Sequence, residues 1–376
     1  MATGVAFSAQ DVERARSYHR PLYLALLLDV AVAAGLLAAL AWSGLGHWLY
    51  SPVRSLPPVA AAAAYAALVT AFSSVVRTPL AFWRGWWRER SWGFSTQGSG
   101  GWLVDRAKGL AVSIVLAAGA WAAAVALARA FPGWWAVPAG AALALAVLFL
   151  SFVAPVVLEP LFNRFRPLED EAVAADLRRL SERAGVPVRD VLVADASRRT
   201  TKVNAYVSGL GGTRRVVLFD TLLAVADSGA LGVVVAHELG HRRERHVAKL
   251  TVLAMAGAAG AVAVLWAVLG TRVADPRTLP EALLLIMGLE LAVLPAGSWL
   301  SRRFERAADR CSLELTEDPT AFARVHAGLA RRNLSDLDPP RLAYLLLFSH
   351  PTPPERLALG RAWEVAHSVV ESPTPC

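Results

Sequence analysis

The chain has 376 residues, 55% of them hydrophobic and only 18% charged, with thirteen Trp, a mean hydropathy of +0.43 and a formal net charge of +8. A water-soluble domain carries nearer a quarter charged residues, so this composition excludes an ordinary soluble globular protein. Two cysteines, Cys311 and Cys376, exclude a disulfide framework and a Cys-pair zinc site, and the terminal position of Cys376 is not that of a prenylation box.

Runs of about 20 apolar residues predict six membrane spans, at about 22–42, 59–76, 109–130, 135–158, 251–270 and 281–300. The first run is long enough to span and is read as an anchor, not as a cleavable signal peptide. Lys108, Lys202 and Lys249 are the only lysines beside abundant Arg and Ala, a composition that suggests a GC-rich source. With the N-terminus inside, Arg54, Arg129, Arg272 and Arg277 are the only cations in the outer loops, and every other Lys and Arg lies on the inner side. That bias predicts an integral, multi-pass protein of a bacterial cell membrane, with both termini and both charged segments cytoplasmic. Sidedness therefore accounts for the net charge, and no motif calls for nucleic acid. Trp134 and Trp135 are expected at the outer interface, and Trp83, Trp86, Trp87 and Trp92 at the inner one. Two acids, Asp29 and Glu290, sit within spans. Such groups either face a water-filled cavity or pair with a structural partner, and both readings stand.

Between the fourth and fifth spans the composition turns polar. Residues 169–184 place Val173, Leu177 and Leu180 at helical spacing, and Gly185 and Pro187 end the helix. Three short β-like runs follow, VRDVLVAD, VNAYVSG and RRVVLFD. GLGGT between the last two predicts an antiparallel hairpin, and no phosphate-binding helix follows it. Asp227 or Ser228 then caps a helix that runs through LGVVVAHELGHRRERHVAKL, residues 231–250.

HELGH puts His237 and His241 four residues apart, on one helix face, where both can ligate one zinc ion. Glu238 between them is placed to take a proton from water activated by the metal. A tetrahedral catalytic site wants a third protein ligand and one open position. His246 follows His241 by five residues with Glu at 244, which does not match the extended metzincin spacing, and it is rejected. Beyond the predicted hairpin of spans, SRRFERAADRCS again sets two acids four apart. Glu305 is the expected third ligand, and Asp309 the acceptor for the free ring N–H of a ligating His.

These residues resemble the integral-membrane zinc metalloproteases of the CAAX prenyl endopeptidase family, relatives of the heat-shock membrane protease HtpX. LEPLFNRFRPLED at 158–170 is similar to the segment by which that family leaves the membrane, and KVNAYVSGLGGTRRVVLFDTLL at 202–223 to its substrate-binding hairpin. SHPTPPERL at 349–357 is similar to its C-terminal His-Pro segment, and PLAFWRGWWRERSWGFSTQ at 79–97 to a loop of its prenyl protease branch. The resemblance covers nearly the whole chain. It departs in showing six spans where animal and fungal members are usually described with seven, and GFSTQ where GFNKQ-like sequence is common.

The resemblance implies a mainly α multi-pass fold, a helical membrane bundle with a cytoplasmic gluzincin-type α+β zinc protease domain containing a small antiparallel sheet. The expected organisation is a membrane domain over 1–158 with four spans, and a first catalytic segment over 159–250 with the hairpin and HELGH helix. A membrane hairpin over 251–300 and a second catalytic segment over 301–376 with the third ligand complete it. The resemblance further implies one zinc ion per chain and an edge strand through Asn204, Ala205 and Tyr206 to which a peptide adds by backbone pairing. His350 and Arg356 are implied as groups that stabilise the oxyanion, bind substrate or orient the site. In that family the position of Asp309 is sometimes given the role of proton donor. The expected partners are a peptide or protein substrate, possibly lipid-modified, and the bilayer. Two other readings stand beside this one. An intramembrane zinc protease of the site-2 kind would need an LDG-like pattern in a later span, which is absent from this sequence. A non-catalytic scaffold or transporter of the same fold would have no use for Glu238.

Overall fold

The computed structural model describes residues 6–209 and 214–368. Cys376 and the end of the GLGGT turn, residues 210–213, lie outside the described residues. Six helices are long and apolar enough to cross a membrane: Ala9–Trp42, Pro58–Ser91, Ser99–Ala130, Ala136–Phe162, His246–Ala274 and Pro276–Thr316. The predicted spans fall within them, save Trp135, which precedes the fourth, and most of the helices run well past the apolar window. At the start of α1 (Ala9–Trp42), Ser8 N–H donates to Asp11 and Asp11 N–H donates back to Ser8 Oγ, a reciprocal cap that extends the helix upstream of the span.

The chain divides into two compact units, each continuous in space and discontinuous in sequence. Contacts group residues up to Tyr23, Phe152–Lys249 and the chain from Leu294 in one unit, and Leu24–Ser151 with Leu250–Val293 in the other. Relative to the boundaries expected from composition, the start of α1 and a few residues at 152–158 and 294–300 group with the catalytic segments. Composition locates the bilayer-length runs, whereas contacts follow the helices beyond them.

The membrane unit is built on α3 (Pro58–Phe82) and α5 (Ser99–Ala130), with α2 (Gly44–Tyr50) a short helix ahead of them, α4 (Arg88–Ser91) following a π-helical turn, and α6 (Ala136–Val153) beyond. Buried Ala61, Ala62, Ala66 and Ala128 let the backbones approach around Tyr65, Val69, Trp121 and Val125. Trp135 is 1% exposed and donates its ring N–H to Gly270 O at 3.1 Å, so it is a core residue and not an interfacial one. An indole is retained in that core because its one polar atom has a partner. Trp134 stays exposed.

The two acids within spans part company. Asp29 is held by Arg77 in a two-pronged pair, Nε to Oδ1 at 2.9 Å and Nη2 to Oδ2 at 2.7 Å, which makes it a paired structural acid. Glu290 is exposed and has no hydrogen bond or ion pair among the described residues. The cavity within this unit, about 590 Å³, is walled by Ala, Leu and Val with Trp121 and Trp135, and neither acid lines it.

In the catalytic unit, β1 (Phe165–Pro167), β2 (Asp190–Ala194), β3 (Ala205–Ser208) and β4 (Arg215–Phe219) form one sheet in the order β1-β2-β4-β3. The predicted hairpin is present as β3–β4, antiparallel, with Ala205 opposite Leu218 and Ser208 opposite Arg215. The sheet is nevertheless mixed and not antiparallel throughout, because β4 returns beside β2 in parallel register. The reason lies in burial. Val216, Val217 and Leu218 are all within 1% of full burial, so β4 is covered on both faces and needs a strand on each side. This leaves β3 as an edge.

After α7 (Glu159–Phe162), the helix α8 (Glu171–Arg183) is capped by Asp170, whose side chain accepts from Val173 N–H, and the chain leaves it through Gly185 at φ +69°. A short α9 (Asp220–Leu223) follows the hairpin, and Asp227 caps α10 (Ser228–Arg243), accepting from Ala230 N–H at 2.7 Å. Leu177, Leu180, Val191, Val216, Leu218, Leu231, Val235 and Leu239 join α8, α10 and the sheet in one core, to which Cys311 and Leu315 add from a later helix. That helix, α12 (Leu279–Thr316), follows α11 (His246–Leu269) and continues unbroken from the predicted sixth span into the segment carrying Glu305 and Asp309. The chain then adds α13 (Pro319–Asn333), α14 (Arg341–Leu347) and α15 (Pro353–Ser368).

Gly240 is where α10 and α12 touch. A Cβ there would lie 2.9 Å from Cys311 Cβ and 3.0 Å from Ala308 Cα, so only glycine permits this approach. Replacing it with Val is therefore expected to destabilise the catalytic unit by about 1–3 kcal/mol through overpacking. It should also lower metal retention, and thermal unfolding with metal analysis of the purified variant measures both. Unchanged stability would mean that the helices separate without cost.

Candidate metal centre

Five elements converge on one point. α10 supplies His237, Glu238 and His241, and α12 supplies Glu305 and Asp309. α13 brings His326, the loop before α15 brings His350, and α15 itself brings Arg356. His237, His241 and Glu305 offer ligand atoms that all lie within 4.8 Å of one another. His237 Nε2 is 3.3 Å from His241 Nε2 and 3.3 Å from Glu305 Oε2, and His241 Nε2 is 3.2 Å from Glu305 Oε1. Donors ~3.3 Å apart are what a tetrahedral ion with ligand bonds of about 2.0 Å requires along its edges. The three residues fit a metal ion.

Each donor is held from behind. His237 Nδ1 lies 2.9 Å from Asp309 Oδ1, the placement expected from the four-residue spacing. His241 is held by a residue that sequence reasoning had discarded as a ligand. His246 Nδ1 sits 3.0 Å from His241 Nδ1, on the side of the ring turned from the other donors, and stacks on Phe304 with centroids 4.1 Å apart. What puts it there is Arg245, a left-handed residue at φ 55° between α10 and α11, which reverses the chain so that position 246 faces position 241. Its signal lay in the sequence only as a fifth-residue His that fitted no ligand pattern.

Glu305 is gripped by Arg356, whose Nη2 donates to Oε2 at 2.7 Å while Nε lies 3.3 Å from Asp309 Oδ2. The remaining Nη1 faces His326 Nδ1 at 3.2 Å. The Arg356 fork thus faces Glu305, Asp309 and His326. His326 was not foreseen, since a lone His beside Phe322 and Val325 on an apolar helix face reads as core. Burial, reinforced by Arg356, pulls its pKa down to about 3, so it is neutral and can accept from the guanidinium. His350 is the exposed imidazole of the group, its side chain 61% accessible, with Nε2 3.4 Å from Glu305 Oε1 and Nδ1 against Ser349 Oγ.

Burial opposes charge on His237, yet the carboxylates of Asp309 and Glu305 outweigh it and push its pKa up to about 9. The same field favours any cation at this point. Glu238, one residue along α10, has its carboxyl pKa raised by burial, which makes it a stronger base than an exposed glutamate.

The residues expected to pair with a peptide, Asn204, Ala205 and Tyr206, lie on the edge strand β3 and just before it. Asn204 is exposed, with its carboxamide Oδ1 accepting from Ala205 N–H at 2.9 Å and its backbone O accepting from Phe219 N–H. Ala205 turns inward to the core. The phenol of Tyr206 points the other way, donating to Glu159 at 3.2 Å, and Ser208 two residues on donates to the same carboxylate. Burial and the Glu159 charge raise the Tyr206 pKa, so the phenol remains a donor.

The sequence profile of peptidase family M48 matches residues 167–364, more than half of the chain. The chain belongs to peptidase family M48. A second profile, described as CAAX prenyl protease N-terminal, five membrane helices, matches residues 4–164. Over that region the described residues place four helices of spanning length. Among curated proteins, the chain is 33% identical over 224 residues to the uncharacterized metalloprotease YhfN of Bacillus subtilis, covering 56% of this chain and 52% of that one. It is 28% identical over 207 residues to CAAX prenyl protease 1 of Saccharomyces cerevisiae, covering 54% of this chain and 45% of that one. It thus spans about half the length of the curated relatives it matches. The crystal structure of S. mikatae Ste24p matches the fold with a TM-score of 0.83 at 22% identity, over 94% of this chain and 90% of that one. Membership of M48 removes the site-2 reading.

Replacing His246 with Ala removes the partner of the His241 ring while leaving all three donors. The expected outcome is a 10–100-fold loss of metal affinity, measured by competition with a chelator. Affinity equal to wild type would mean that His246 has no part in positioning His241.

Proposed function

We propose that this M48 protein is a zinc-dependent membrane endopeptidase of the CAAX prenyl protease type. The single observation that carries the reading is the triad His237, His241 and Glu305, with a part-buried Glu238 one residue from the first ligand that has no hydrogen bond or ion pair among the described residues, and an edge strand in the same unit. One zinc ion held by the triad would polarise the substrate carbonyl and render water nucleophilic near neutral pH. Glu238 takes the proton from the attacking water and delivers it to the leaving amine, a task its raised pKa suits. Asn204 and Ala205 hold the peptide main chain in extended form. His350, exposed beside Glu305, donates to the carbonyl oxygen as it gains charge. Asp309, Arg356 and His326 keep the ligands in place, which is a different task from donating a proton.

The substrate class is an extended peptide of a membrane-associated or prenylated protein, and the bias of cations toward one side supports a cytoplasmic catalytic unit. Glu238→Gln is expected to lower peptide cleavage by at least about 10²-fold while metal content stays at wild-type level. His237→Ala and Glu305→Ala should each lose the metal. Cleavage by Glu238→Gln at the wild-type rate would refute the assignment of the base. The prenyl requirement is read separately, by comparing one peptide with and without its prenyl group and mapping products by mass. Faster cleavage of the prenylated form is expected. Equal rates would leave the endopeptidase and favour an HtpX-like role on unmodified membrane peptides.

A further inference from the structure

The edge of β3 has two ends, and both are closed. In an antiparallel ladder, residues alternate between those whose N–H and C=O face the partner strand and those whose groups face away. Phe219 N–H donates to Asn204 O, which fixes the phase. Asn204, Tyr206 and Ser208 therefore turn their backbone groups to β4, and Val203, Ala205 and Val207 turn theirs to the free side. Thr221 Oγ1 donates to Lys202 O on the β4 side, in keeping with this phase.

The groups on the free side are mostly taken. Val203 N–H donates to Asn333 Oδ1 at 3.0 Å, and Asn333 Nδ2 donates to Val203 O at 3.0 Å. One carboxamide thus occupies both backbone groups of one residue, as a neighbouring strand would, and only an amide carries donor and acceptor in that arrangement. At the other end Arg242 donates to Val207 O. Among the described residues, the C=O of Ala205 and the N–H of Val207 remain without a partner, and Ala205 N–H is covered only by the adjacent Asn204 carboxamide.

Asn333 does not reach Val203 by accident of a loose side chain. It is the last residue of α13, and Leu334 after it is left-handed at φ 49°. The turn is then pinned by Ser335 N–H on Ala330 O at 2.9 Å, by His19 against Leu334 O at 2.6 Å and by Tyr23 Oη on Asp336 at 2.6 Å. The carboxamide is delivered by a fixed backbone.

We propose that Asn333 and Arg242 are positioning residues that close the two ends of the peptide-binding edge, leaving the C=O of Ala205 as its one free acceptor among the described residues and so fixing the register in which an extended peptide lies. This rests on the peptide-binding role proposed for β3. A substrate residue opposite Ala205 donates its N–H to Ala205 O, the residue two positions along finds Val203 already paired, and the one two positions back finds Val207 O taken.

The test is a backbone N-methyl scan. The purified full-length protein is assayed on a peptide that it cleaves and on versions carrying one N-methyl amide at a time. With wild type, one substrate residue besides the scissile bond should be sensitive, its methylation lowering kcat/KM about tenfold, mainly through KM, as the loss of a single hydrogen bond would. With Asn333→Ala, a second sensitive position should appear two residues away, at unchanged metal content, because the C=O of Val203 is released. Two or more alternating sensitive positions in wild type would overturn the closure while supporting peptide binding by β3. So would a scan left unchanged by Asn333→Ala. No sensitive position at all would remove the edge-strand reading and the closure with it. Should the Ala variant fail to fold, the number of sensitive positions in wild type decides alone.

Discussion

Everything at the candidate centre depends on how closely two helices approach. Gly240 lies against Ala308 and Cys311 with no room for a methyl group, and the residues on either side of that contact are the ones that matter. His237 and His241 flank Gly240 on α10, while Glu305 and Asp309 flank Ala308 on α12. Helical spacing alone would set two donors on each helix face. The contact at Gly240 turns two faces into one site by bringing Glu305 within 3.3 Å of both imidazoles. The glycine of HELGH is thus a packing residue, as necessary to the geometry as the ligands beside it.

Close approach has an electrostatic cost, because it gathers the carboxylates of Glu238, Glu305 and Asp309, the last two buried. Arg356 offsets one of these charges, donating to Glu305 and lying 3.3 Å from Asp309. Two negative charges then remain uncompensated, and buried charge without a partner is strongly destabilising. A divalent cation held between the two imidazoles and Glu305 would balance that sum. The upward direction of the His237 pKa, driven by Asp309 and Glu305 against burial, reflects the same negative field. Orientation and charge therefore have a common solution, and the residues behind the ligands are as closely placed as the ligands themselves.

What could be read from the sequence was whatever depends on short-range spacing. The His pair and the Glu305–Asp309 pair follow from a spacing of four, the β3–β4 hairpin from two short β-like runs about a Gly-rich turn, and the six spans from the length of their apolar runs. What could not be read depends on tertiary turns. His246 faces His241 only because Arg245 adopts a left-handed backbone, and His326 meets Arg356 only through the packing of α13 beside α15. The parallel pairing of β2 with β4 has no local signature either, since each strand is a short apolar run of a kind that pairs equally well in an antiparallel sheet. Trp135 was misplaced for a similar reason. Hydropathy locates an indole near the end of a span, but only the position of Gly270 O determines that it turns inward.

Catalytic helix and substrate strand are joined by more than proximity. Arg242 follows the second ligand directly and, one turn beyond Glu238 on the same helix, donates to the backbone of β3 at Val207. A peptide paired at Ala205 would thus be referenced to the general base through one turn of α10 and a single charged hydrogen bond. Burial and the nearby Arg214 lower the Arg242 pKa and the Glu238 carboxylate opposes them, but a guanidinium stays charged throughout, so the bond to Val207 O remains charge-assisted. Fixing both partners from one helix limits the misplacement that would otherwise erode a reaction dependent on a near-attack distance of about 3–3.5 Å.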